Sequence, residues 1–374
     1  MPIDNFKIVN DTLQLKFYYG NFFCFLTENK KEITGISEKW NPKLRLHVKR
    51  AQFKKKPYSK KNISFNNGDV QLSGMLYEPR ISTQETKKYV ILVHGSGAQD
   101  RYSPYYISLA YALANKGFGV LLYDKRGTGE SSGNFETASM KDLADDAVAA
   151  YDFLKTSVGS KKSEIGFLGT SQGGWIAPLA ANKVGDCDFL ILNVGPAVSV
   201  FEQDVHRIEY TMKSDGWNQA AIDAALAYSA SYFQFVKDQN NNTWDKLQQL
   251  SAKAKNERWA EFIHIPKHKN DFEWWRNNNY NPKTTLENLN CRTLSLFGEF
   301  DPLVPPVENV KLMTEYLTKS GVKFDVKVIS GVLHDIKTFQ GLNGDNWNWP
   351  SVYWTWRTEP EEYFASIVAF LEGE

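Results

Sequence analysis

The chain has 374 residues, with 44 Lys and Arg against 43 Asp and Glu, and a net charge of +1. That balance excludes bulk electrostatic attraction to nucleic acid or to an anionic membrane surface. At 42% hydrophobic and 23% charged, the sequence is too apolar for a disordered chain, and 11 Trp, 18 Tyr and 23 Phe make aromatic residues 14% of it.

The first fifty residues read as short strands broken by Gly, Asn and charged turns: 13–18, 22–26, 33–36 and 44–48. They predict a small antiparallel β unit over 1–55. Residues 43–61 hold nine Lys and Arg and no acid, and read as a solvated linker rather than a binding patch, because nothing else in the chain is basic. Asn66-Asn67-Gly68-Asp69 is a hairpin turn between two apolar-alternating runs.

From residue 89 the pattern changes to short apolar runs alternating with helical periodicity, the mark of βαβ units and a mainly parallel sheet. The expected strands are 89–94, 119–124, 165–170, 189–194, 293–297 and 324–329, with a helix through Leu143–Leu154 among the connections. Residues 196–288 interrupt that rhythm. They contain no buried strand pattern and are too long for a loop, so an inserted helical subdomain is expected there, within an α/β domain over 62–374. No apolar run approaches the ~18 residues of a membrane-spanning helix. Cys24, Cys187 and Cys291 are far apart and lack CxxC spacing, so neither a disulfide framework nor a zinc site is suggested. The start of the chain has no basic and apolar leader pattern.

The sharpest chemical signal is Gly169-Thr170-Ser171-Gln172-Gly173, directly after the run Ile165-Gly166-Phe167-Leu168 and before a helical stretch. A nucleophile on a tight strand-to-helix turn needs small residues two positions either side, and the helix N-terminus behind it favours developing negative charge. A serine also needs a base and an acid to orient that base. Asp301, in Gly298-Glu299-Phe300-Asp301-Pro302, follows the strand 293–297, and His334, in Gly331-Val332-Leu333-His334, follows the strand 324–329. Both fall at the sheet edge that carries Ser171, where open α/β sheets bind ligands. Glu299 and Asp335 are the competing acids, Asp335 being disfavoured because adjacent side chains on an extended segment diverge. In His94-Gly95-Ser96-Gly97 two glycines let the backbone turn an N–H toward a reacting carbonyl oxygen. Ser96 is the first choice for that donor and Gly97 the alternative, with Gln172 N–H the second donor.

These motifs, with Tyr123-Asp124-Lys125-Arg126-Gly127-Thr128-Gly129-Glu130-Ser131, resemble the α/β-hydrolase superfamily, in its esterase and serine-aminopeptidase-like branch with a helical cap after the sixth strand. The resemblance implies a Ser171–His334–Asp301 triad, an oxyanion hole at Ser96 and Gln172, no metal or organic cofactor, and a mainly structural role for the Asp124–Gly127 turn. The expected activity is hydrolysis of small-molecule carboxylic esters with small or medium acyl groups through an acyl-enzyme. A peptidase or amidase, thioesterase or acyltransferase on the same triad is the alternative. A non-catalytic carbohydrate-binding protein is disfavoured by the intact triad. No nucleic-acid partner and no integral membrane segment are expected.

The stretches Gly20-Asn21-Phe22-Phe23 and Glu32-Ile33-Thr34-Gly35-Ile36 resemble the closing strands of a β domain found ahead of some bacterial secreted hydrolases. The sequence as given reads as cytoplasmic; earlier strands and an export signal ahead of residue 1 would make it periplasmic or secreted. Nine of the eleven Trp lie in two groups expected to flank the site: Trp217, Trp244, Trp259, Trp274 and Trp275 in the insertion, and Trp347, Trp349, Trp354 and Trp356 after His334. Those not used in packing are expected to line an apolar pocket or stack on a sugar-bearing alcohol.

Overall fold

The computed structural model describes five strands between residues 5 and 49, and then residues 56–80, 87–158, 163–269, 271–337 and 359–373. The first strands, β1 (Asn5–Val9), β2 (Thr12–Phe17), β3 (Gly20–Leu26), β4 (Glu32–Ser37) and β5 (Arg45–Lys49), form an antiparallel sheet in sequence order. β1 was not expected, because Phe6-Lys7-Ile8 gives too short an alternation to distinguish from coil. Cys24 of β3 is buried opposite Gly35 of β4, where a β-carbon would fall 2.4 Å from the Cys24 sulfur.

The second sheet has eight strands in the order β13-β12-β11-β10-β8-β9-β7-β6. β6 (Tyr58–Asn67) and β7 (Val70–Pro79) are the hairpin, joined at Gly68, whose φ of 54° suits the tight turn. β6 begins earlier than its hydrophobic pattern suggests, so Lys60 and Lys61 of the basic stretch are strand residues; Lys60 Nζ donates to Tyr111 Oη at 2.6 Å. β7 pairs antiparallel with β9 (Gly119–Tyr123). The remaining pairs, through β8 (Lys87–Val93), β10 (Ser163–Thr170), β11 (Phe189–Asn193), β12 (Arg292–Gly298) and β13 (Phe324–Ile329), are parallel.

The central strands are buried on both faces, which is why they read as continuous apolar runs. One face packs α1 (Pro104–Asn115) and α10 (Glu361–Glu372) through Leu109, Leu113, Ile367 and Leu371. The other packs α2 (Met140–Val158), α3 (Gly173–Val184) and α9 (Pro306–Ser320). α2 buries Leu143, Ala144, Ala147, Ala150, Tyr151 and Leu154, the three-and-four spacing that marked it in the sequence.

Between β11 and β12 the chain leaves the sheet. Among the described residues this insertion holds α4 (Val200–Ser214), α5 (Gln219–Asp238), α6 (Asn241–Ala254), a 3-10 turn (Arg258–Phe262), α7 (Glu273–Asn277) and α8 (Lys283–Glu287), and no strand. α4 starts in a capping box between Ser199 and Glu202, and α5 and α6 are capped by the side chains of Asn218 and Asn240. Packing in the insertion is aromatic: Phe201 stacks on Phe233 at 4.4 Å, and Trp275 meets Phe233 at 5.0 Å. No helix among the described residues is long and apolar enough to cross a membrane.

Candidate active site

β8 is flanked by β9 and β10, so the chain leaves it in opposite directions, and the carboxyl ends of β8 and β10 border the crevice of a topological switch point. Ser171 sits just beyond β10 with φ 54°, a conformation an L-residue holds only when its surroundings enforce it. The enforcement is visible in the neighbouring glycines. A β-carbon on Gly169 would lie 2.1 Å from the Gly173 carbonyl oxygen, and one on Gly173 would lie 2.4 Å from that of Val93. Ser171 N–H donates to Asn193 O at 2.9 Å, tying the turn to the end of β11.

The structure brings the three residues singled out in the sequence into one chain of contacts. Ser171 Oγ is 3.0 Å from His334 Nε2, and His334 Nδ1 is 2.8 Å from Asp301 Oδ2. Asp301 is fully buried, and its other oxygen accepts the N–H groups of Leu303 and Val304, each at 2.8 Å. With both oxygens engaged, the carboxylate can orient the imidazole and balance its charge, while the imidazole can take a proton from Ser171.

The competing acids sit elsewhere. Glu299 Oε2 accepts Ser330 Oγ–H at 2.7 Å and Gly331 N–H at 2.8 Å, bonds that hold its carboxyl below the usual range and brace the loop leading to His334. Asp335 accepts the Lys337 N–H at 3.1 Å.

The His94–Gly97 turn lies against the nucleophile. A β-carbon on Gly95 would meet Thr170 O at 3.2 Å and Ser171 Cβ at 3.3 Å, so glycine is what allows the approach. Gly95 N–H is committed to Tyr106 Oη at 2.6 Å. Among the described residues the backbone N–H groups of Ser96, Gly97 and Gln172 donate to no protein acceptor. Ser96 and Gln172 line the same cleft as Ser171, and Gly97 is not among the lining residues. Two free N–H groups beside a serine Oγ can receive the oxygen of a reacting carbonyl.

Beneath this turn lies a residue the motifs did not single out. Lys125 is buried, and its Nζ donates to Gly95 O at 2.5 Å, Gly97 O at 3.1 Å and Gln172 Oε1 at 3.3 Å. It thereby pins the carbonyls on either side of Ser96 and the side chain of Gln172. Burial lowers its pKa to about 8. The signal was present in the sequence: a lysine one residue past Asp124, where the apolar strand β9 ends at the same sheet edge as Ser171. His94 packs edge-on to Tyr106 and Tyr123, and burial, with Lys125 nearby, lowers its pKa to about 3. Asp124 itself is a strut, accepting from Arg101 Nη2 at 2.6 Å and Arg101 N–H at 2.7 Å.

The cleft above Ser171 has a volume of about 220 Å³. Trp274 and Trp275 of α7 line it, as does Trp175 of α3. Trp217 instead packs on Phe262 at 5.7 Å, Trp244 on Phe235 at 5.1 Å, and Trp259 against the core. Trp347, Trp349, Trp354 and Trp356 lie outside the described residues. Among the described residues no cluster of His, Cys, Asp and Glu has the makings of a metal site.

Residues 84–338 match the family model described as serine aminopeptidase, S33. A search of curated proteins gives no significant match. Among solved structures, the chain is similar to a thermostable carboxyl esterase from Bacillus coagulans, with 18% identity, TM-score 0.52, and 84% of this chain and 98% of that one covered. An esterase from Pyrococcus furiosus gives 20% identity and TM-score 0.52 over 84% of this chain and 91% of its own. The proline iminopeptidase of Mycobacterium smegmatis gives 16% and 0.52, over 84% and 98%. At these identities the likeness is one of fold.

Proposed function

This chain belongs to the serine aminopeptidase S33 family, an α/β-hydrolase family, and from that premise we propose that it is a serine hydrolase of carboxylic esters. The observation that carries the reading is the unbroken sequence of contacts from Ser171 Oγ through His334 to the buried Asp301, at 3.0 and 2.8 Å. Ser171 Oγ attacks the ester carbonyl carbon as His334 Nε2 takes its proton, and Asp301 stabilises the imidazolium. The carbonyl oxygen, now negative, is held by the N–H groups of Ser96 and Gln172. Collapse of this intermediate breaks the bond to the alcohol, which leaves with the proton from His334. Water then attacks the acyl-serine, His334 takes its proton, and the acid departs as Ser171 is regenerated. In this reading no cofactor takes part, and the insertion between β11 and β12 serves as a cap over the cleft.

The second reading is cleavage of a peptide amide next to a free amino terminus, for which the family description speaks. What weighs against it is the cleft lining, which among the described residues contains no carboxylate to receive an ammonium group. Three acids of the insertion already have partners: Asp204 pairs with Arg207, Glu209 with Lys213, and Glu202 closes the cap of α4.

The test is hydrolysis of short-chain nitrophenyl esters and of aminoacyl amides by wild type and Ser171→Ala, with fluorophosphonate labelling. Ester hydrolysis and labelling that both vanish with Ser171 are expected. Ester turnover that survives the substitution, or turnover of aminoacyl amides alone, would overturn the proposal.

A further inference from the structure

Arg207 is the one charged residue among the twelve described residues that line the cleft. It stands on the same face of α4 as Val200 and Gln203, the three-and-four spacing that turns one side of a helix to one surface, and all three border the cleft. Its guanidinium is fixed from one edge. Nε and Nη2 donate to Asp204 Oδ1 at 3.0 and 2.9 Å, and Nη2 also donates to Phe262 O at 3.1 Å. Asp204 is buried, and its second oxygen lies 3.2 Å from His264 Nε2, so the carboxylate is shared between two basic groups. Arg207 Nη1, with two N–H groups, donates to no acceptor among the described residues, and the side chain is 24% exposed.

A strut between α4 and the segment at Phe262 needs only the Nε and Nη2 edge. Nη1 remains for whatever enters the cleft, and a guanidinium already held in one orientation loses little freedom when it binds an anion. We propose that Arg207 is a specificity-determining residue, and that the preferred substrates are esters carrying a carboxylate a few atoms from the scissile carbonyl, received by its Nη1 edge. This deepens the ester-hydrolase reading and rests on it. The remaining lining, three indoles with aliphatic and amide side chains, suits the apolar stretch between the two carbonyl groups.

The experiment uses matched ester pairs differing only in a terminal methyl or carboxylate: ethyl hexanoate against monoethyl adipate for the acyl arm, and butyl acetate against 4-acetoxybutanoate for the alcohol arm. For one arm or the other, Arg207→Met is expected to lower the ratio of kcat/KM, charged over neutral, about tenfold or more, as befits loss of a hydrogen bond to a charged group. Arg207→Lys should recover part of that ratio. Wild-type enzyme supplies a readout that needs no variant: raising salt toward about 1 M should depress turnover of the charged ester more than of its neutral partner. Ratios unmoved by Arg207→Met and by salt in both pairs, while Ser171-dependent hydrolysis persists, would overturn the role of Arg207 alone. Absence of Ser171-dependent hydrolysis of all four esters would overturn the ester-hydrolase reading and this inference with it.

Discussion

The carboxyl edge of the sheet and the helices inserted between β11 and β12 both border the cleft, but they place their side chains by different means. At the sheet edge the positions are set by backbone: glycines at 169 and 173 have no room for a β-carbon, Ser171 is held at φ 54°, and Asp301 is gripped by two N–H groups. In the insertion the positions are set by rings. Phe201, Phe233, Trp274 and Trp275 form a chain of contacts with centroids 4.4 to 5.0 Å apart, and each pair contributes about 1 kcal/mol beyond its buried area. A backbone-set site tolerates almost no substitution and gives the same geometry to every substrate. A ring-set wall can be repacked, and what changes is which substrate fits.

Four variants test that division. Ser171→Ala should lower kcat on every ester by on the order of 10⁴-fold or more with the thermal unfolding midpoint preserved. A strongly substrate-dependent loss would break the comparison at once.

Lys125→Met should lower kcat by about 10- to 100-fold, nearly equally across substrates, because Lys125 pins the carbonyls around Ser96 rather than touching substrate. Its pH profile sharpens the point. The pKa of Lys125 is lowered to about 8, so the ammonium is charged below that pH and neutral above it. Wild-type kcat should therefore decline as pH rises through about 8, and the variant should lack that decline. A variant that keeps the same alkaline limb would remove Lys125 from the site's preorganisation.

Trp275→Ala should shift kcat/KM by about three- to tenfold in a manner that differs between acyl groups, since the ring lines the cleft and anchors its neighbours. An equal loss on all substrates would place α7 with the backbone-set region. Glu299→Gln should change kcat by less than about threefold, because Glu299 braces Ser330 and Gly331 and makes no bond to His334. A loss comparable to removing Asp301 would reassign the acid.

What could be read from the sequence follows the same division. The central parallel strands were legible because fully buried strands leave apolar runs, and the turn at Ser171 because tight turns leave glycines, while β13, ahead of His334, is mostly not buried. Glu299 and Asp301 share the loop after β12, and what separates them is contact: Asp301 meets His334 Nδ1 and two N–H groups, Glu299 meets Ser330 and Gly331. Arg207 was not legible as a site residue, and Lys125 only through its place at the end of β9. A lysine inside a charged turn and an arginine on an amphipathic helix look like any solvated side chain until burial and hydrogen-bond partners are known. The aromatic excess was legible only in part: Trp274 and Trp275 face the cleft, whereas Trp217 and Trp244 are spent on packing.

Where the insertion leaves the sheet, Gly174 of α3 lies against Gly195, so closely that a β-carbon on Gly174 would sit 2.3 Å from the Gly195 Cα. One residue earlier, Val194 holds φ 48°, costly for a β-branched side chain, with its N–H bonded to Leu296 O at 2.8 Å. The nucleophile's helix and the root of the insertion are thus welded backbone to backbone. Any displacement of the inserted helices would hinge beyond Gly195, leaving the serine turn in place.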